Sequence, residues 1–197
     1  MRFWHEPVSG VIENAIALTH GAGTNSNAPL LVKLAEELAA EGWLVLRYDL
    51  PYREKRPGGP PHPSGAAADR AGVVDAARTL RDRGAKRVIL GGHSYGGRMT
   101  SMAAAGDPQL CDALLLLSYP LHPPGKAEWR TQHFPGIRMP VLFVSGERDE
   151  FATPEELAQA AALLGGKWRL RTVPGQGHSL RPAVTNVIRG ELKQIKD

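Results

Sequence analysis

A rhythm in the chain constrains its fold more than any single motif. Apolar runs of strand length recur, and stretches with helical spacing of apolar residues stand between them. Runs at residues 15–19, 43–48, 88–90, 113–117 and 141–144 are nearly continuous in Val, Ile, Leu and Ala. A strand with one wet face alternates apolar and polar residues, so unbroken runs belong to a sheet covered on both faces. Alternation of strand and helix then calls for an α/β fold, a three-layer α/β/α sandwich with a mainly parallel sheet. A sixth run, residues 168–173, alternates apolar and polar residues and is expected toward an edge.

Between the runs, residues 29–40 carry Leu30, Leu31, Leu34 and Leu38 at helical spacing, with Gly42 as the stop. A second helical stretch starts at Ser64 or Asp69 and runs to Arg83, before Gly84, and a third covers residues 95–105, before Gly106. Thr153-Pro154-Glu155-Glu156 reads as the N-cap, proline and acidic first turn of a fourth, and Pro182 opens a fifth. Residues 51–63, P-Y-R-E-K-R-P-G-G-P-P-H-P, are expected to lack regular structure because proline and glycine interrupt them throughout. The expected architecture is one domain over residues 1–197, with about six strands and no insertion long enough for a large lid.

Composition narrows the functional classes. A hydrophobic share of 42% with 22% charged residues is that of an ordinary globular chain. The single cysteine, Cys111, excludes an intrachain disulfide, and its place before an apolar run marks it as a small buried hydrophobe. The net charge of +4 is dispersed, which argues against a nucleic-acid partner. The N-terminal residues lack a signal-peptide core and no window approaches a bilayer span, so a cytoplasmic protein without a membrane partner is expected.

Residues 87–98 read R-V-I-L-G-G-H-S-Y-G-G-R, a strand that breaks into the pentapeptide Gly92-His93-Ser94-Tyr95-Gly96. A serine lifted onto a tight turn between strand and helix needs small residues two positions either side, which Gly92 and Gly96 supply. Ser94 is therefore the candidate nucleophile. The helix that follows offers unpaired amides and the positive end of its dipole to a developing oxyanion, with Tyr95 N–H the nearest donor.

In a parallel sheet the loops leaving the strand C-termini gather on one edge, so residues far apart in sequence meet there. The loop after the last strand, Pro174-Gly175-Gln176-Gly177-His178-Ser179, presents His178 as the candidate general base. The loop after residues 141–144 presents Asp149 as the acid that orients it, with Glu147 and Glu150 as competitors. The order Ser94, Asp149, His178 differs from the orders of chymotrypsin and subtilisin.

After the first run, His20-Gly21-Ala22-Gly23-Thr24-Asn25 lacks both the lysine of a P-loop and the third glycine of a dinucleotide fingerprint. Its small residues suit a second oxyanion donor, Ala22 or Gly23. Tyr52, Arg53, Tyr119 and Phe151 all follow strand ends and are candidates to line a substrate pocket, Arg53 by meeting an anionic acyl or leaving group.

With these residues in view, the chain resembles the α/β-hydrolase superfamily over nearly its whole length. The segments L-T-H-G-A-G-T-N at 18–25, R-Y-D-L-P-Y-R at 47–53 and G-G-H-S-Y-G-G-R at 91–98 are similar to small hydrolases grouped with testis-expressed protein thirty and the hydrolase-like subunit of the NSL complex. They also resemble dienelactone hydrolases, which carry cysteine where this chain has Ser94. The resemblance implies a Ser94-Asp149-His178 triad, no metal or other cofactor and a small-molecule acyl substrate. The expected activity is hydrolysis of a carboxylic ester or thioester. The alternatives are a catalytically weak scaffold on the same fold, or an acyltransferase or peptidase using the same residues.

Overall fold

The protein is described by a computed structural model covering residues 1–7, 11–123 and 126–195. Seven strands form one sheet in the order β1-β3-β2-β4-β5-β6-β7. They are β1 (Arg2–His5), β2 (Asn14–Thr19), β3 (Leu44–Tyr48), β4 (Arg87–His93), β5 (Ala113–Leu117), β6 (Val141–Gly146) and β7 (Trp168–Val173). All neighbours run parallel except β1, which pairs antiparallel with β3. The alternating run lies at the edge, as its pattern requires, because β7 has a neighbour on one side only.

Successive residues on each strand feed opposite cores, the consequence of the two-residue period of a β-strand. On one face Ala15, Leu46, Leu90, Leu116 and Phe143 are buried under α3 (Ala66–Asp82), α4 (Tyr95–Gly106) and α5 (Pro154–Ala161). On the other face Ile16, Val45, Ile89, Leu115 and Val144 pack on α1 (Pro29–Ala40) and α6 (Thr185–Leu192). This is why the strands read as unbroken apolar runs: both of their faces are inside.

Three elements differ from the sequence reading. Strand β1 is a seventh, short strand that the apolar-run pattern misses, because Arg2–His5 has no fully buried residue. Residues 51–63 are not wholly irregular: α2 (Pro51–Lys55) is a short helix with proline in its first turn, where the missing N–H costs nothing. The breakers cluster only from Pro57 onward. A 3₁₀ turn precedes the last helix at Pro182–Val184, so α6 itself begins at Thr185. Among the described residues no helical lid follows β5, only the turn Phe134–Gly136, and no helix is long and apolar enough to cross a membrane.

The connectivity places the site. From β2 the chain steps outward to β3, then returns past β2 to β4 and continues in the opposite direction. The loops after β2 and β4 therefore diverge and leave a crevice at the carboxyl edge, the usual ligand position in an open α/β sheet.

Candidate active site

Ser94 sits between β4 and α4 with φ 51° and ψ −118°, a left-handed conformation for a residue with a side chain. Such a backbone costs on the order of 1–3 kcal/mol and persists only where its surroundings enforce it. Here they do. A Cβ on Gly92 would lie 2.4 Å from the carbonyl carbon of Gly96, and one on Gly96 would lie 2.5 Å from the carbonyl oxygen of His20. Strand, helix and the loop after β2 are thus in backbone contact around the serine, and both glycines of the pentapeptide are sterically required.

The loops after β6 and β7 bring the other two candidates to it. The Ser94 hydroxyl lies 2.8 Å from His178 Nε2, and His178 Nδ1 lies 2.9 Å from Asp149 Oδ1 and 3.1 Å from Oδ2. A carboxylate only accepts, so the Nδ1 proton points at Asp149 and the Nε2 lone pair is free to accept from Ser94. Asp149 is itself held: Ser145 Oγ donates to Oδ2 at 3.1 Å and Phe151 N to Oδ1 at 3.0 Å. Its competitors lie elsewhere. Glu147 Oε2 accepts from Gly175 N at 3.0 Å, which ties the two loops together, and Glu150 is exposed.

Ala22, Ser94 and Tyr95 line one cavity of about 510 Å³; Gly23 does not reach it and is exposed. Among the described residues the Ala22 amide has no backbone acceptor, and the Tyr95 amide opens a helix, where intrahelical partners do not exist. Both residues line the cavity, and neither amide has a backbone acceptor among the described residues.

Three of the four residues expected to line the pocket are engaged differently. Arg53 is buried and donates to the carbonyls of Thr24 at 2.8 Å and Ala22 at 2.7 Å, so its guanidinium is taken up by the loop after β2. Tyr52 Oη donates to the Gly21 and Ala22 carbonyls at 3.2 and 3.1 Å, so it braces the loop after β2 instead of facing the cavity. Tyr119 is fully buried, packed edge-on against Phe134 with its hydroxyl on the Arg130 carbonyl at 2.7 Å. Each of these side chains is held by carbonyls or aromatic rings, although Tyr52 stays half-buried. Phe151 does line the cavity, with its ring 4.4 Å from that of His178.

The fold also supplies groups that sequence reasoning missed. Asp69, buried on α3, accepts from Tyr95 Oη at 2.7 Å and from Tyr52 N at 3.0 Å. It thereby fixes the ring beside Ser94 to the start of α2, a contact no local spacing announces. His93 Nε2 donates to the His178 carbonyl at 3.0 Å, clamping the base-bearing loop onto β4. His20 Nε2 accepts from Leu50 N at 3.1 Å while Nδ1 donates to the Gly21 carbonyl at 2.9 Å, which makes it a loop brace.

Burial lowers His93 and His133 from an ordinary value of 6.5 to about 4, with the charge of nearby Arg98 acting further on His133. A histidine depressed in the folded state binds its proton first in the unfolded chain, so stability is intact above pH 6.5 and is lost progressively as pH falls toward 4. The melting temperature is expected to fall by several degrees over that window, at roughly 2–4 °C per kcal/mol for a chain of this size. A His133→Gln variant should show a flatter decline, and equal slopes for parent and variant would refute the assignment.

Comparisons with known proteins place the fold. A family model described as "Alpha/beta hydrolase domain" matches residues 13–191. Among solved structures, Est1E from Butyrivibrio proteoclasticus with ferulic acid bound is similar at 18% identity, with 99% of this chain and 94% of that one covered and a TM-score of 0.80. A dienelactone hydrolase from Anabaena variabilis matches at 21% identity, covering 98% and 89% of the two chains at a TM-score of 0.77. A serine hydrolase without a lid from Xanthomonas campestris matches at 17% identity, covering 98% and 86% at 0.70. At such identities the likeness is one of fold.

Proposed function

The chain belongs to the alpha/beta hydrolase domain family, and from that premise we propose that it is a serine hydrolase cleaving a carboxylic ester or thioester through an acyl-enzyme. The observation that carries the reading is the unbroken line of hydrogen bonds from Ser94 through His178 to Asp149, opening onto a cavity.

Ser94 Oγ attacks the carbonyl carbon while its proton passes to His178 Nε2. Asp149 holds the ring in the required tautomer and stabilises the imidazolium. The tetrahedral oxyanion is received by the amides of Tyr95 and Ala22, which are already oriented before reaction. His178 then returns the proton to the departing alcohol or thiol as its bond to the acyl carbon breaks. Water repeats the sequence on the acyl-serine and releases the acid. The dienelactone hydrolase and the serine hydrolase among the structural neighbours belong to the same class of acyl chemistry.

A fluorophosphonate probe tests the assignment directly. Stoichiometric labelling is expected, mapped by peptide mass to Ser94 and blocked in a His178→Ala variant. Modification at another serine, or none under conditions that label a control esterase, would overturn the reading.

A further inference from the structure

One face of α4 forms the cavity floor. Ser94, Arg98 and Met102 follow each other at four-residue spacing, so they stack along one side of the helix, and all three line the cavity. Its walls are apolar, with Phe151, Pro60 and Pro120 among them. Arg98 is out of place in such surroundings. Its Nε is buried without a hydrogen-bond partner, and among the described residues it makes no ion pair. Arg130 lines the same cavity and also lacks a carboxylate partner there; its Nη1 makes only long contacts, 3.3 and 3.5 Å, to the carbonyls of His122 and Pro120. Burial and the charge of Arg98 both lower the pKa of Arg130, and the carboxylate that opposes this, Glu128, is itself exposed.

Two guanidinium groups lining one largely apolar cavity repel each other; Arg98 Nε has no acceptor among the described residues, and Arg130 Nη1 has only two long ones. A carboxylate or phosphonate entering the cavity relieves both conditions, because the planar fork matches two oxygens at once. Position tells which part of a substrate carries it. The cavity is lined by the nucleophile and by the oxyanion donors, whereas His178, which hands the proton to the leaving group, is not part of its lining. The acyl portion therefore occupies the cavity and the leaving group departs on the His178 side.

We propose that Arg98 and Arg130 form an anion subsite in the acyl cavity, and that the substrate is an ester or thioester whose acyl group ends in an oxyanionic group. This rests on Ser94 being the nucleophile of an acyl transfer. The anionic contact that the sequence suggested for Arg53 is thus moved to residues that face the cavity.

The test compares 4-nitrophenyl monoesters of glutaric and adipic acid with 4-nitrophenyl pentanoate and hexanoate, each corrected for uncatalysed hydrolysis. The parent is expected to favour the monoanionic esters by about tenfold in kcat/KM at low salt. That preference should fall about tenfold in Arg98→Gln, by less in Arg130→Gln, and be partly restored in Arg98→Lys. Glutarate and 3-phosphonopropionate should compete with the neutral ester, and the stronger competitor identifies the oxyanion. A parent with no preference for the anionic esters, or one whose preference survives in both glutamine variants, would overturn the subsite. Absence of any Ser94-dependent turnover is instead the failure of the hydrolase assignment. Calorimetric titration of glutarate into parent and Arg98→Gln then decides the subsite on its own: binding that the variant weakens about tenfold supports it, and no binding to the parent overturns it.

Discussion

Ser94→Ala is expected to lower kcat on 4-nitrophenyl acetate by about 10⁵-fold, leaving only the rate that binding and the oxyanion donors sustain. The loss is large because, in the proposed mechanism, His178 and Asp149 act only through the Ser94 hydroxyl, 2.8 Å from His178 Nε2. It is not a folding effect. Alanine keeps a Cβ, so at φ 51° it carries the same backbone strain as serine and the melting temperature should stay within a degree or two. Ser94→Gly separates the two terms: it should be equally inactive yet more stable by about 1 kcal/mol, since glycine adopts this conformation without penalty. Parent-like turnover by Ser94→Ala, measured against a blank, would remove the nucleophile assignment.

Asp149→Asn should reduce kcat by about 10³- to 10⁴-fold with little change in KM. The reason lies in who surrounds the carboxylate. His178 Nδ1–H, Ser145 O–H and Phe151 N–H all donate to its two oxygens. An asparagine keeps one oxygen, so its NH₂ must face one of these donors. In the Oδ1 place it confronts the Phe151 amide and favours the other His178 tautomer, with the Nε2 proton blocking Ser94; in the Oδ2 place it can donate to the Ser145 hydroxyl, but the ring is then left with a neutral amide oxygen in place of the carboxylate that stabilises the imidazolium. The exposed competitor gives the control: Glu150→Gln should leave turnover within about twofold, in line with ordinary surface substitutions. If the two variants lose activity equally, Asp149 is not the orienting group.

The helix and strand pattern was legible in the chain because its causes are local or periodic. Leu30, Leu31, Leu34 and Leu38 mark α1 at the bounds read from spacing alone, residues 29–40. Thr153 and Glu156 form the capping box that opens α5, as the motif requires. Ser94, Asp149 and His178 were legible for a related reason: each follows a recognisable strand, and a parallel sheet carries all strand ends to one edge. Strand β1 was not legible, since its pairing with β3 rests on a partner more than forty residues away and on no apolar run of its own.

Side chains of the pocket behaved differently. Arg53 and Arg98 are both arginines five residues beyond a strand end, and their neighbours do not say where either guanidinium ends. Arg53 is drawn onto the carbonyls of a loop about thirty residues earlier, while Arg98 shares a helix face with Ser94 and its Nε is left without a partner among the described residues. Tyr119 and Phe151 divide in the same way, one closed into the core and the other left at the cavity wall. Apolar periodicity, turn chemistry and strand order are properties of consecutive residues, and they settle the sheet, the elbow and the line from Ser94 to Asp149. Where a long polar side chain ends depends on which acceptors other segments bring within about 3 Å of it, and only the packed chain decides that.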